Sequence, residues 1–456
     1  MNRWVPPGAV VVMVGVATVV GTLAGAQAVP EQRVTAAPAR VSVVCPAFAS
    51  ATASVKVVAA ATGAGLQVAK LSGGAADASA GQQQVLANAT EPVRVSALLP
   101  DPFGASSFAT ASSGPARGIS AAGCVAPRTD HWFVGVDVRA EAQADLVVVN
   151  LDGTAASIDL IAYSHDGRIA APRGVEVAGN SSQAISLSSL PRGDDPVTIA
   201  ASSSDGRFAA FLRQRSWSGD TSLGGDWLAG AAVPATEPVI PGLAAGAGVR
   251  RLVITNPNER TTTVTVGFLG ASGPGAVPGA EQLEVPPETT RVLDVTTGLA
   301  GQAVALSLTS TQPVTAAVWQ DTGAAVARHD PAFSAATLPL PADSYWPLAA
   351  GGKASTTLVL ANPAAEPAVA TVTVAANTQA ASPQEVSVPA GTQVAVPVPA
   401  AATNTVRIQT AATSLRGALV TTRKLGKVQG LAVWPLADQG SGGTSASVVY
   451  DPRLGR

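Results

Sequence analysis

The residues best equipped for chemistry are few and scattered. The densest polar and aromatic group is Arg213, Arg215, Trp217, Asp220, Asp226 and Trp227. Exposed indoles flanked by Arg and Asp bind sugar rings or protein surfaces, because the ring offers a flat apolar face and a polar edge. The competing reading is a linker whose tryptophans wedge two domains together. Three histidines are present: His165 in a Ser164-His165-Asp166-Gly167 turn, His329 in a Pro-containing linker, and His131 beside Trp132. Each reads as a solvated loop residue rather than a catalyst. Asp194 and Asp195 are adjacent, so on an extended chain their carboxyls point apart. A glycosidase needs two carboxyls facing each other across a cleft. Asp220 and Asp226 bracket a Gly-rich loop but lack the spacing of a calcium loop. There is no nucleophile elbow, phosphate-binding loop or His-Glu-x-x-His, and Gly63-x-Gly65 and Gly246-x-Gly248 lack the third glycine of a dinucleotide fingerprint. The expectation is a protein that is not an enzyme and carries no cofactor or metal. A wall-polymer hydrolase survives only if distant loops assemble a carboxylate pair.

The elements that hold these residues recur. Leu252-Val253-Ile254-Thr255-Asn256-Pro257 is matched by Leu146 to Asn150 and by Leu358 to Pro363, with the asparagines 106 residues apart in both intervals. A fainter copy reads Val41 to Pro46. Self-similarity at a fixed period is the signature of a tandem array. In the third unit, Thr263 to Phe268 alternates, with Val264, Val266 and Phe268 on one face, which is the pattern of a half-buried antiparallel strand. Val239–Leu243, Gln282–Val285, Thr290–Val295, Val304–Leu308 and Val314–Trp319 complete about seven short strands in roughly 100 residues, as in an immunoglobulin-like sandwich. Shifted by the repeat, Ile158, Leu160 and Ala162, and then Ala370, Val372 and Val374, take the same places. Asp205-Gly206 is expected to join Val197–Ser203 and Phe208–Gln214 as a hairpin. The first unit is degenerate: Val55–Ala59, Val93–Leu98 and Ile119–Cys124 are its clearest strands, and Leu71 to Gln84 reads as a flexible insertion. A propeller would need two blades per repeat, and no half-period is visible.

The expected fold class is therefore all-β: four tandem immunoglobulin-like sandwiches, arranged as a rod or curved array, with boundaries at 29–129, 130–235, 236–341 and 342–456. Charged residues are only 13% of the chain and the net charge is −2, so no basic patch suits nucleic acid. Residues 1–28 carry Arg3 ahead of an uncharged apolar run from Ala9 to Ala26, then Ala26-Gln27-Ala28. That is an export signal, either cleaved or retained as a membrane anchor, and it places the rest outside the cytoplasm. The two cysteines, Cys45 and Cys124, are most simply a disulfide in an exported chain, closing a 79-residue span; two free buried thiols are the alternative. Trp132, Trp346 and Trp434 recur ahead of repeat turns and suggest packing between units.

Arg117-Gly118-Ile119 before Cys124, then Trp132-Phe133-Val134-Gly135 and the Leu-Val-Val-Val-Asn strand, with the N-terminal apolar segment and paired cysteines, resemble secreted or membrane-anchored proteins of high-GC Gram-positive bacteria grouped as domain of unknown function 5719. The resemblance implies an extracytoplasmic envelope protein and brings no catalytic residues. The second unit has Asn150-Leu151 in place of Asn-Pro, so its turn need not be alike. The leading reading is a non-catalytic envelope scaffold or protein-binding array, with an envelope protein or a polysaccharide as partner. The alternative is a carbohydrate-binding module acting through Trp217 and Trp227. Finally, Val433 to Ala437 copies Tyr345 to Ala349, and Ser447 to Pro452 copies the asparagine strand, so an unfinished fifth unit is expected, with 446–451 capping the fourth sandwich in cis; donation of that strand to another molecule is the alternative.

Overall fold

In the third repeat Thr262–Gly270 buries Val264 and Val266 and exposes Thr265, the alternation that a two-layer sheet demands. The computed structural model describes residues 40–47, 53–63, 65–73, 76–77, 83–99, 101–321, 323, 330–377, 379–380 and 382–437. The expected signal or anchor, His329 and the expected 446–451 strand lie outside the described residues. Among the described residues no helix is long and apolar enough to cross a membrane.

Among the described residues, eight antiparallel sheets pair into four sandwiches. In the third, one sheet runs Val239–Leu243, Val304–Ser310, Thr262–Gly270, Gly273–Ala276, with Leu283–Val285 also pairing Thr262–Gly270. The facing sheet runs Thr289–Asp294, Arg250–Asn256, Thr315–Gln320, Ala332–Ala335. The first sandwich, from Arg40–Cys45 to Gly118–Gly123, the second, from Asp130–Val136 to Thr221–Leu228, and the fourth, from Asp343–Leu348 to Val428–Pro435, use the same strand order. The architecture is immunoglobulin-like, and its cores are the apolar faces expected from the alternation: Ile158, Leu160 and Ala162 in the second, Ala370 and Val372 in the fourth.

The repeated asparagines are clamps. Asn150, Asn256 and Asn362 are fully buried. Each side-chain carbonyl accepts the backbone N–H two residues on, at 2.9, 3.0 and 3.2 Å. Each amide donates to the carbonyl four residues on (Thr154, Arg260, Glu366) and to a valine carbonyl across the sandwich (Val177, Val285, Val388). Because the asparagine side chain, and not the following proline, shapes the turn, Asn150-Leu151 turns as its counterparts do. The three turns are alike, which the sequence had left open.

Four expectations are corrected. Val197–Asp205 and Ala209–Ser218 are not a hairpin: the first is already flanked by Asp130–Val136 and Ala156–Ser164, so Asp205-Gly206 carries the chain across to the other sheet. Arg40–Cys45 is not a copy of the asparagine strand. It pairs Val93–Leu98 as the first strand of its sandwich, and the counterpart of Leu146–Asn150 is Ala53–Ala61. Val428–Pro435 does not open a fifth unit but closes the fourth sandwich against Arg416–Leu425. The local likeness arises because Trp346 and Trp434 meet edge-to-face, 5.8 Å apart, in one core. In the region expected as a flexible insertion, Ala76–Asp77 pairs Gln67–Lys70, and much of the remainder lies outside the described residues.

The fourth correction concerns the rod. The sandwiches close into a ring. Val44, Val149, Ala209, Phe211 and Trp227 join the first to the second. Val134, Val253, Ala317 and Ala335 join the second to the third, beside a Thr198–Thr255 hydroxyl contact of 2.6 Å. Val239, Leu269, Ala305 and Ala361, and then Ala332, Ala418, Leu431 and Val433, join the third to the fourth. Phe108, Ile119 and Ala121 of the first share the core of the fourth, and Ser106 Oγ donates to Pro347 O at 2.5 Å. At Gly104 a Cβ would come within 1.9 Å of Tyr345 O, so the close approach of first and fourth requires glycine there. The last strands of the sandwiches converge at the middle of the ring. They are built of small residues, Gly-Ile-Ser-Ala-Ala-Gly and Ala-Phe-Ser-Ala in two cases, which lets backbones pack on both faces.

Candidate functional site

Arg213, Arg215, Trp217, Asp220, Asp226 and Trp227 sit on one hairpin, Ala209–Ser218 and Thr221–Leu228, inside the second sandwich rather than on a linker. They do not share one surface. Arg213 and Arg215 both donate to Asp145 Oδ2, at 2.9 Å each. Trp227 is buried between the first and second sandwiches, with its ring edge-on to Phe211 at 6.1 Å. Trp217 is half-buried and Asp220 is exposed in the turn. Asp226 turns inward, 5% exposed.

His131 is not a solvated loop residue. It lies buried on Asp130–Val136, its Nε2 2.7 Å from Phe208 O and its ring against Phe208. Burial, reinforced by the charge of Arg128, lowers its pKa to about 3, so it is neutral across the ordinary range. Of the other tryptophans, Trp132 stacks on Tyr163 in the seam of the second and third sandwiches, whereas Trp346 and Trp434 serve the fourth core. Cys45 and Cys124 form the disulfide, buried in the first sandwich.

Where the last strands converge lies a group that sequence reading missed. Asp330 is fully buried, and its Oδ2 accepts Ile119 N at 2.8 Å from the first sandwich and Leu431 N at 3.1 Å from the fourth. Gly118, at positive φ, makes room for it, since a Cβ there would lie 1.9 Å from Asp330 Oδ1, and Gly224, also at positive φ, makes room for the adjacent Arg117 carbonyl. Burial pushes the Asp330 carboxyl up to about 8, against the pull of the two N–H donors and Arg117. Asp226 is raised too, first by burial and then by the charge of Asp330. Burial favours the protonated form of both acids, and a charge on Asp330 favours it further on Asp226. Here one of them ties three sandwiches together.

Asp226 also lines a cleft of about 320 Å³ between the second and third sandwiches. One wall is a polar row. Gln214 and Asp226 are cross-strand partners, as are Ser216 and Gly224 on the same face. The opposite wall is a row in which Arg251 pairs Trp319 and Trp319 pairs Phe333 across three strands, with the guanidinium 5.6 Å from the indole centroid. Asp137, gripped by Arg139 through two oxygens, and Asp194 stand at the rim. Gln214 and Asp226 each keep hydrogen-bonding capacity in hand. Among the described residues, Gln214 Oε1 accepts Asp137 N at 2.8 Å, and Asp226 Oδ1 accepts Trp227 N at 2.7 Å. The cleft can hold a small polar ligand against an aromatic wall. No signal in the linear sequence pairs these rows, because their register is set by sheets formed across the ring.

The model of a family of unknown function, DUF5719, matches residues 101–399, well over half of the chain. No curated protein matches. Among solved structures, the pilus backbone of Streptococcus pneumoniae is 13% identical, covering 50% of this chain and 82% of that one, with a TM-score of 0.11. A tetra-tandem repeat from the extending region of a large adhesion protein is 12% identical, covering 88% of this chain and 100% of that one, also at 0.11. At that score neither bears on function.

Proposed function

The chain belongs to the DUF5719 family, and from its ring of stapled sandwiches we propose that it is a non-catalytic scaffold of the cell envelope, working outside the cytoplasm and held at the membrane by its N-terminal segment. The observation that carries this is the buried Cys45–Cys124 disulfide, since such bonds persist in oxidising compartments. The apolar run at Ala9–Ala26 supports export. Closure of four sandwiches on themselves supports a scaffold, because it holds their outer edges and loops in one fixed arrangement for a protein partner.

The full chain expressed in an actinobacterial host should be digested by protease added to spheroplasts, and non-reducing mass spectrometry should find Cys45 joined to Cys124. Cross-linking in the intact envelope should recover a stoichiometric protein partner that Gly104→Val, which forces the first and fourth sandwiches apart, loses. Protein held inside the cell with both thiols free would refute the location. A partner retained unchanged by Gly104→Val would refute the ring as the binding frame.

A further inference from the structure

We propose that the cleft between the second and third sandwiches is a binding site for a neutral saccharide, a function beyond the scaffold reading and independent of it. The two walls are complementary in the manner sugar rings require. Sugars present an apolar C–H face and an equatorial rim of hydroxyls that both donate and accept. Half-buried Trp319 provides an apolar wall at one side, with Phe333, 2% exposed, packed behind it. Gln214, Asp226 and Ser216 provide an amide, a carboxyl and a hydroxyl in neighbouring ladder positions at the other. Gln214 is 6% exposed and Asp226 5%, so both are held rigidly by the hairpin. Their Nε2 and Oδ2 atoms have no hydrogen bond among the described residues, and both side chains line the cleft. Neither atom is a buried orphan; both line the cleft, where a hydroxyl-rich ligand can bond them.

The charges select a neutral ligand. Asp137 is neutralised by Arg139 through two hydrogen bonds. Arg251 and the rim carboxylate Asp194 carry one charge of each sign, and Asp226 is held toward its neutral form by burial and Asp330. No excess of one sign remains to favour an anion or a cation. The volume, about 320 Å³, stands at the small end of ligand pockets, about 300–1,000 Å³, so one or two sugar residues fit and a folded partner does not. The sequence had placed sugar binding at Trp217 and Trp227. Trp227 is committed to the joint with the first sandwich, and the cleft takes from that hairpin only its inward face.

The test titrates the full chain with maltose, cellobiose and N,N′-diacetylchitobiose, with glucuronic acid as an anionic comparison, followed by calorimetry and tryptophan fluorescence. At least one neutral disaccharide should bind and shift the fluorescence. Ser216→Phe, which fills the cleft from a half-buried position, should weaken binding by about tenfold or more, as should Trp319→Leu. Both melting curves should stay close to the parent. Trp217→Ala, outside the cleft, should leave binding unchanged. Absence of binding to all three disaccharides, tighter binding of glucuronic acid, or full binding by Ser216→Phe would each overturn the proposal. Should Trp319→Leu unfold, Ser216→Phe alone decides.

Discussion

In the third sandwich Asn256 ties the end of its strand to Arg260, Val285 and Pro286 through one amide. In the first, the matching strand Ala53–Ala61 ends at Thr62, whose hydroxyl and N–H both reach only Pro102 O. The first sandwich has instead the Cys45–Cys124 bond, which links its first strand to the segment after its last. One strand order is thus locked in two ways: by a buried amide that satisfies several carbonyls at once, or by a covalent staple. The staple acts by restricting the unfolded chain, whereas the amide acts by removing the penalty of orphaned carbonyls. A covalent lock suits the unit whose last strand is also shared with the fourth sandwich. It does not depend on a strand end remaining dry.

The largest effect should come from removing the staple. Cys45→Ala with Cys124→Ala should destabilise by about 4.5 kcal/mol, from the closure entropy of the 79-residue span. Denaturant unfolding should show this loss first in the first sandwich. A loss smaller than that of the next variant would break the comparison. Asn256→Ala leaves buried carbonyls unpaired and should cost about 3 kcal/mol, with Asn150→Ala and Asn362→Ala similar. If Asn150→Ala proved silent, the clamps would not be equivalent.

Third comes the ring centre. The folded Asp330 pKa of about 8 lies above its unfolded value near 3.8. Its contribution is therefore fully present below pH 3.8 and lost as pH rises to about 8. His131 has the opposite sense, since its folded value of about 3 makes the fold lose stability as pH drops below 6.5. Between pH 6.5 and 8 only Asp330 of these two changes its contribution, and the loss should be about 2 kcal/mol. Thermal melts across that window should slope less in Asp330→Asn than in the parent, because Asp226, raised first by burial, keeps its own contribution. Smallest of all, Trp217→Ala on the half-buried outer hairpin should change stability by about 0.5 kcal/mol or less.

In the third sandwich Thr262–Gly270 was legible because it shows a wet face beside a dry one, and Val239–Leu243 was readable as an apolar run bounded by turn residues although all five of its residues are buried. So were the repeat interval and the disulfide. The ring was not read, although a trace of it exists. Phe103–Ala111 and Ala332–Ala335 are buried on both sides, and such strands lose their alternation and fill with Gly, Ala and Ser. Small residues mark a backbone approached from two directions. The Asp205-Gly206 turn misled for a related reason. Its dipeptide suits a hairpin, but the edges of Val197–Asp205 were already occupied. The cleft walls depend on which residues stand opposite each other in paired strands, and that register is a property of the assembled sheets.

Closing the ring changes the thermodynamics of every joint within it. If the contact of Ile119 with the fourth sandwich parts, the other three joints still hold the two surfaces within a short distance. Reclosure is then a first-order event at an effective concentration in the millimolar range, rather than a search through solvent. Interfaces too weak to persist between separate proteins would remain closed almost all the time. Two joints must open together before any sandwich swings free, so disassembly should be rare even where each contact, taken alone, is slight.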